Sequence, residues 1–178
     1  MIVQPNAHVG IVCKDLEKSI AFYEKFLGMK EKFTLYYGDM IPKDPEWLAK
    51  VPQERIDYLK TVENVKWIVY MEWTDGPAGY FIELFNELDA HIENLPSKEK
   101  YGLNHIDIVV DDIHAFYQEL VEKGAEEYIF ILPGSSICRS YTMWLRDPDG
   151  NEIEVHQYTD ISMQVIGRDL PEGVTWTP

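Results

Sequence analysis

His8-Val-Gly-Ile-Val-Cys-Lys-Asp15-Leu16 and His105-Ile-Asp-Ile-Val-Val-Asp-Asp112-Ile113 read alike, 97 residues apart. Each opens as an alternating, β-branched stretch and meets an Asp able to cap a helix. Helical spacing then runs to a Gly, the residue that tolerates the left-handed turn closing a helix. Leu16, Ile20, Tyr23 and Leu27 form one apolar stripe before Gly28; Ile113, Tyr117 and Leu120 form the other before Gly124. A repeat of this kind is the first thing to settle about a fold, because each copy is one structural unit.

Working outward, each helix is followed by three extended candidates, 29–37, 65–74 and 78–86 in the first half and 125–133, 137–146 and 151–158 in the second. The reading is an α+β fold of two tandem βαβββ modules. Module one spans 6–86 and carries an insertion at 38–64, where Pro42, Pro45 and Pro52 interrupt partly helical sequence such as Glu46-Trp-Leu-Ala-Lys and Glu54-Arg-Ile-Asp-Tyr-Leu. Residues 87–101, acidic and ending Pro96-Ser-Lys-Glu-Lys, form the linker. Module two spans 102–158, and 159–178 is a tail without periodicity. All 178 residues are read as one domain.

The composition narrows the function. With 31 acidic against 16 basic residues, the formal charge is -15, which repels phosphate backbones and anionic membranes. Neither nucleic acid nor a membrane is expected as a partner. Two cysteines, Cys13 and Cys138, make no CxxC pair and no disulfide framework. Without a signal-peptide pattern or an 18-residue apolar run, a cytoplasmic protein is expected.

Strand side chains alternate faces, so His8 points away from Val9, His105 from Ile106, Glu83 from Ile82 and Leu84, and Glu154 from Ile153 and Val155. Four strands each set one ligand-type residue opposite the apolar face. A single strand histidine is ordinarily a satisfied, partly buried side chain and a single strand glutamate is ordinarily solvated. Four in repeat-equivalent positions reverse that reading. His8 and Glu83 are 75 residues apart, His105 and Glu154 are 49 apart, and the difference nearly equals the 27-residue insertion. Two imidazoles and two carboxylates with one or two water positions left would suit Zn, Ni, Co, Mn or Fe(II). His91 in the linker and His114 at a helix start are read as exposed, and His156, on the face of Glu154, as a bystander.

Lys14-Asp-Leu-Glu-Lys-Ser-Ile-Ala-Phe-Tyr-Glu-Lys-Phe-Leu-Gly-Met29, Asp147-Pro-Asp-Gly-Asn-Glu-Ile-Glu154 and the strand-borne His8 resemble the vicinal oxygen chelate superfamily. Glyoxalase I, methylmalonyl-CoA epimerase, extradiol dioxygenases and bleomycin-resistance proteins belong to it. The resemblance covers residues 6–158. It implies paired βαβββ modules related by a pseudo-twofold, their curved mixed sheets enclosing a metal-centred cavity. In the lyase and isomerase branches the metal positions fall on His8, Glu83, His105 and Glu154. Extradiol enzymes lack a carboxylate at the position of Glu83, and antibiotic-binding relatives generally lack the ligands. The four-ligand count therefore implies glyoxalase or epimerase chemistry: a small-molecule carbonyl substrate, one divalent ion (Zn, Ni, Co or Mn), and Glu154 or Glu83 as the base that takes the proton beside the carbonyl, through an enediolate. An Fe(II) extradiol-type dioxygenase and a non-catalytic binding or resistance protein are the alternatives.

This chain departs from glyoxalase I at Val12, where such enzymes carry a basic residue that holds a glutathione carboxylate. Asn86 and Arg139 are the candidate substrate-binding residues. The insertion, with Trp47, Tyr58 and nearby Trp67, is read either as a lid or as the interface of a homodimer. Ser162-Met-Gln in the tail is placed at one end of the site.

Overall fold

The computed structural model describes residues 8–73, 80–86, 88 and 104–176. The contacts divide the chain into two units, Met1–Glu93 and Asn94–Pro178. In the first, β1 (His8–Val12) leads into α1 (Leu16–Leu27), followed by β2 (Met29–Tyr36), β3 (Lys66–Trp73) and β4 (Phe81–Phe85). The sheet order is β1-β4-β3-β2, with β1 parallel to β4 and the other pairs antiparallel. Asp15 caps α1 by accepting from the Lys18 amide at 3.1 Å, and Gly28, at φ 65°, closes it. The expected stripe Leu16, Ile20, Tyr23 and Leu27 is buried, and α1 packs on β2, β3 and β4, whose Val69, Met71 and Leu84 are fully buried. Each such aliphatic side chain contributes about 1.5–3 kcal/mol by leaving water.

The second unit repeats the pattern with β5 (Ile106–Val109), α4 (Ile113–Glu122), β6 (Ile129–Ser135), β7 (Tyr141–Arg146) and β8 (Glu152–Gln157) in the order β5-β8-β7-β6. Asp112 caps α4 by accepting from the His114 and Ala115 amides, both at 2.9 Å. Ile113 and Leu120 of α4 are fully buried, as are Met143, Leu145 and Val155 of the sheet it covers. Tyr117, expected on the same stripe, is half-buried. The α+β class and the two modules of four strands are as expected.

The insertion holds α2 (Pro45–Leu48), capped by Asp44, and α3 (Gln53–Thr61). Two strand starts and the tail differ most from the expectation. The strand expected from 125 starts at Ile129, because Glu126–Tyr128 takes a tight 3-10 turn. The strand expected from 137 starts at Tyr141, because Ser136 to Ser140 form a closed turn in which Arg139 sits at φ 62°. The tail is partly regular: α5 (Met163–Ile166) follows Ser162. His91 and the linker before residue 104, apart from Leu88, lie outside the described residues. Among the described residues no helix is long and apolar enough to cross a membrane.

Candidate functional site

Strand register puts the candidate ligands side by side within each unit. In the first, the parallel β1–β4 pairing sets Gly10 opposite Glu83, which brings the Glu83 carboxylate to 3.6 Å from His8 Nε2. Glu83 is buried between Ile82 and Leu84 on the strand while its carboxylate meets the exposed His8. The room comes from Gly10: a Cβ there would stand 3.0 Å from the Phe85 ring and 3.6 Å from Glu83 Oε2. On the antiparallel side Glu83 faces Tyr70, whose hydroxyl hydrogen-bonds to it. That bond, with burial, pushes the Tyr70 pKa up to about 12.

In the second unit His105 Nε2 stands 3.2 Å from Glu154 Oε2. His105 lies one residue ahead of β5 rather than within it as the alternation suggested. The position is fixed on both sides: Asn104 Oδ1 sits 2.8 Å from His105 Nδ1, and the ring packs edge-on against Trp144, the antiparallel partner of Glu154. The Asp147-Pro-Asp-Gly-Asn stretch sets the register of β8, and so the place of Glu154. Asp147 Oδ1 accepts from the amides of Asp149 and Asn151, both at 2.9 Å, and Gly150, at φ 87°, donates to the Asp147 carbonyl.

Two further residues join this pair. Asp107 is the register partner of Glu154 across the parallel β5–β8 ladder, where the first unit has Gly10. His156 occupies the place that Phe85 holds in the first unit. Asp107 Oδ1 is 2.7 Å from His156 Nδ1, and His156 Nε2 is 3.4 Å from Glu154 Oε1. Burial raises the pKa of Glu154 and the Asp107 charge raises it further, while His156 and His105 pull it down. The sequence reading passed over Asp107 and set His156 aside. The signal was the same period of two that found His105 and Glu154, since each lies two residues further along its strand. His156, read as a bystander, is buried beside Glu154. His114 is exposed, as expected.

The two candidate substrate-binding residues are engaged by the chain itself. Asn86 Nδ2 donates to the Lys66 carbonyl at 3.0 Å, and the Asn86 carbonyl accepts from the Tyr37 hydroxyl. Arg139 is buried, and Nη1 and Nη2 donate to the carbonyls of Arg168 and Gly167 in the tail. Ser162 Oγ donates to the Arg139 carbonyl at 2.9 Å, so the tail is anchored on the turn at 136–140. Val12 lies opposite Phe85.

Residues 7–155 match the model of the Glyoxalase/Bleomycin resistance protein/Dioxygenase superfamily. The chain belongs to this superfamily. It is 29% identical over 153 residues to the uncharacterized protein YwbC of Bacillus subtilis, covering 84% of this chain and 94% of the relative. It is 24% identical over 163 residues to a lactoylglutathione lyase of Pseudomonas putida, covering 86% and 85%. Among solved structures, a superfamily member from Sphaerobacter thermophilus superposes with a TM-score of 0.57 at 19% identity, over 89% of this chain and 100% of that one. Within each unit the donors brought side by side are an imidazole nitrogen and a carboxylate oxygen, types that fit a borderline divalent cation.

Proposed function

We propose that this chain is a metal-dependent lyase or isomerase of the glyoxalase or epimerase kind, which takes the proton from the carbon beside a carbonyl in a small-molecule substrate. His8, Glu83, His105 and Glu154 are the proposed ligands of one divalent ion, Zn, Ni, Co or Mn. The observation that supports this most is the repeated pairing: each unit presents one histidine Nε2 beside one glutamate carboxylate, at 3.6 Å and 3.2 Å, at equivalent places in its sheet. The distant likeness to the Pseudomonas putida lactoylglutathione lyase favours this branch of the superfamily.

A carbon acid beside an ordinary carbonyl is too weak for a carboxylate alone, and a divalent ion supplies the positive charge that offsets the negative charge growing on the carbonyl oxygen. The chain supplies the base. Glu154 fits that work, because its burial raises its affinity for a proton towards the range where a base operates efficiently. Glu83 stands in the equivalent place, held by the Tyr70 hydroxyl. Asn104 at His105 Nδ1 favours the tautomer whose Nε2 lone pair points to the ion.

The test combines elemental analysis of the purified protein with solvent deuterium exchange into 2-oxo and hemithioacetal candidates. Stoichiometric Zn, Ni, Co or Mn together with deuterium at the carbon beside the carbonyl supports the proposal. Oxygen-sensitive Fe(II), or no stoichiometric metal and no exchange, turns the reading to an oxygenase or to a binding protein.

A further inference from the structure

The two units carry the same strands in the same register but decorate them differently. Where Gly10 faces Glu83 in the first, Asp107 faces Glu154 in the second. Like charges directly opposite on neighbouring strands destabilise a sheet. Among the described residues no lysine or arginine pairs with Asp107 or Glu154; their ionic partners are His105 and His156. That leaves a place for a cation.

His156 is built to receive it. The residue is 5% exposed, and its Nδ1 is 2.7 Å from Asp107 Oδ1, a firm hydrogen bond. With the ring proton on Nδ1, Nε2 is left as a lone pair, and it faces Glu154 Oε1 at 3.4 Å, beyond ordinary hydrogen-bond length. A carboxylate holding one imidazole nitrogen while the other looks at a second carboxylate is the arrangement that orients a metal-binding histidine. Asp107, Glu154 and His156 each offer one donor, and these donors lie within 4.8 Å of one another. His105 meets the other oxygen of Glu154, Oε2.

We infer that the second unit holds a divalent cation of its own between His156 Nε2 and Glu154 Oε1, with Asp107 holding His156 through Nδ1, on the opposite side of the Glu154 carboxylate from His105. His156, Glu154 and Asp107 all lie in one unit, so this site does not require His8 or Glu83 and stands apart from the proposed four-ligand site except in sharing Glu154. A carboxylate that serves two cations through its two oxygens is the ordinary bridge of a two-metal site.

Equilibrium dialysis of the full chain against Co(II), with metal counted by elemental analysis and folding checked by circular dichroism, tests this. The wild type is expected to bind two Co(II) per chain. His156→Ala removes one, and Asp107→Asn, which keeps the side-chain volume, weakens the same one by about 10–100-fold or more. His8→Ala with Glu83→Ala leaves that ion in place, and adding His156→Ala to this pair removes it. If the wild type binds a single Co(II) that survives both His156→Ala and Asp107→Asn, the inference is overturned. A single Co(II) lost with His156→Ala but kept in His8→Ala with Glu83→Ala upholds it and overturns the four-ligand reading instead.

Discussion

Glu154 is a carboxylate that the fold holds against its own preference. Its pKa is raised, chiefly by burial, so the folded chain holds that proton more tightly than the unfolded chain does. The stability it contributes is therefore present below the ordinary carboxylate range, near pH 4.3, and is lost as pH rises through its raised value. Glu154→Gln should accordingly raise the melting temperature of metal-free protein at neutral pH, with the gain vanishing at pH values where the glutamate is already protonated. The same variant should lose turnover by on the order of 10²–10⁴-fold if Glu154 is the base, read as deuterium wash-in on a substrate the wild type converts. Unchanged exchange in both Glu154→Gln and Glu83→Gln would remove the carboxylates from that role. Tyr70 titrates in the other window. Its pKa is pushed up to about 12 by the hydrogen bond to Glu83, so its contribution is intact below pH 10 and fades as pH rises towards 12. Spectroscopic titration should find a late tyrosine that disappears in Tyr70→Phe, while Tyr158, raised by burial and the Asp107 charge, keeps its own upward shift.

At the scale of elements, the caps and turns do more than end helices and strands. Asp112 satisfies two amides at the start of α4, and its replacement by Ala should cost about 1 kcal/mol, measured by urea unfolding, while Asp112→Asn costs little. Asp147 does the same for the turn between β7 and β8. Because one residue of slip would turn Glu154 to the apolar face, Asp147→Ala should lower metal affinity as well as stability. These elements were legible beforehand: Asp15, Gly28, Asp112, Gly124 and the Asp-Pro-Asp-Gly-Asn turn punctuate the sequence at the right places. The turn at Ser136 to Ser140 was not, since a left-handed Arg139 has no local signature. It is held by Ser162 and Thr159 hydroxyls reaching across from the tail.

For the molecule as a whole, a charge of -15 repels itself, most strongly when salt is scarce. Raising ionic strength from about 0.01 to 0.15 M shortens the screening length from about 30 to 8 Å. The melting temperature should rise over that range with tetramethylammonium chloride, whose cation is too large for the candidate sites. A divalent ion should act differently, through linkage: at 100 times its dissociation constant each site should stabilise by about 2.7 kcal/mol, and His105→Ala should lose the increment of the four-ligand site while circular dichroism shows the fold retained.

Local signals were enough for the α+β class, the doubled βαβββ order and the strand places of His8, Glu83 and Glu154, because period-two alternation, capping aspartates and a long internal repeat are written along the chain. The sequence carried His8, Glu83, His105 and Glu154 as a matched set for the same reason. Only the tertiary structure decided which of these touch, that Asn86 and Arg139 are engaged by backbone carbonyls, and that Asp107 reaches His156. Those outcomes depend on which residues face each other across a ladder and on what the tail covers. Parallel pairing of β5 with β8 joins residues 47 apart, and no periodicity along the chain records that partnership.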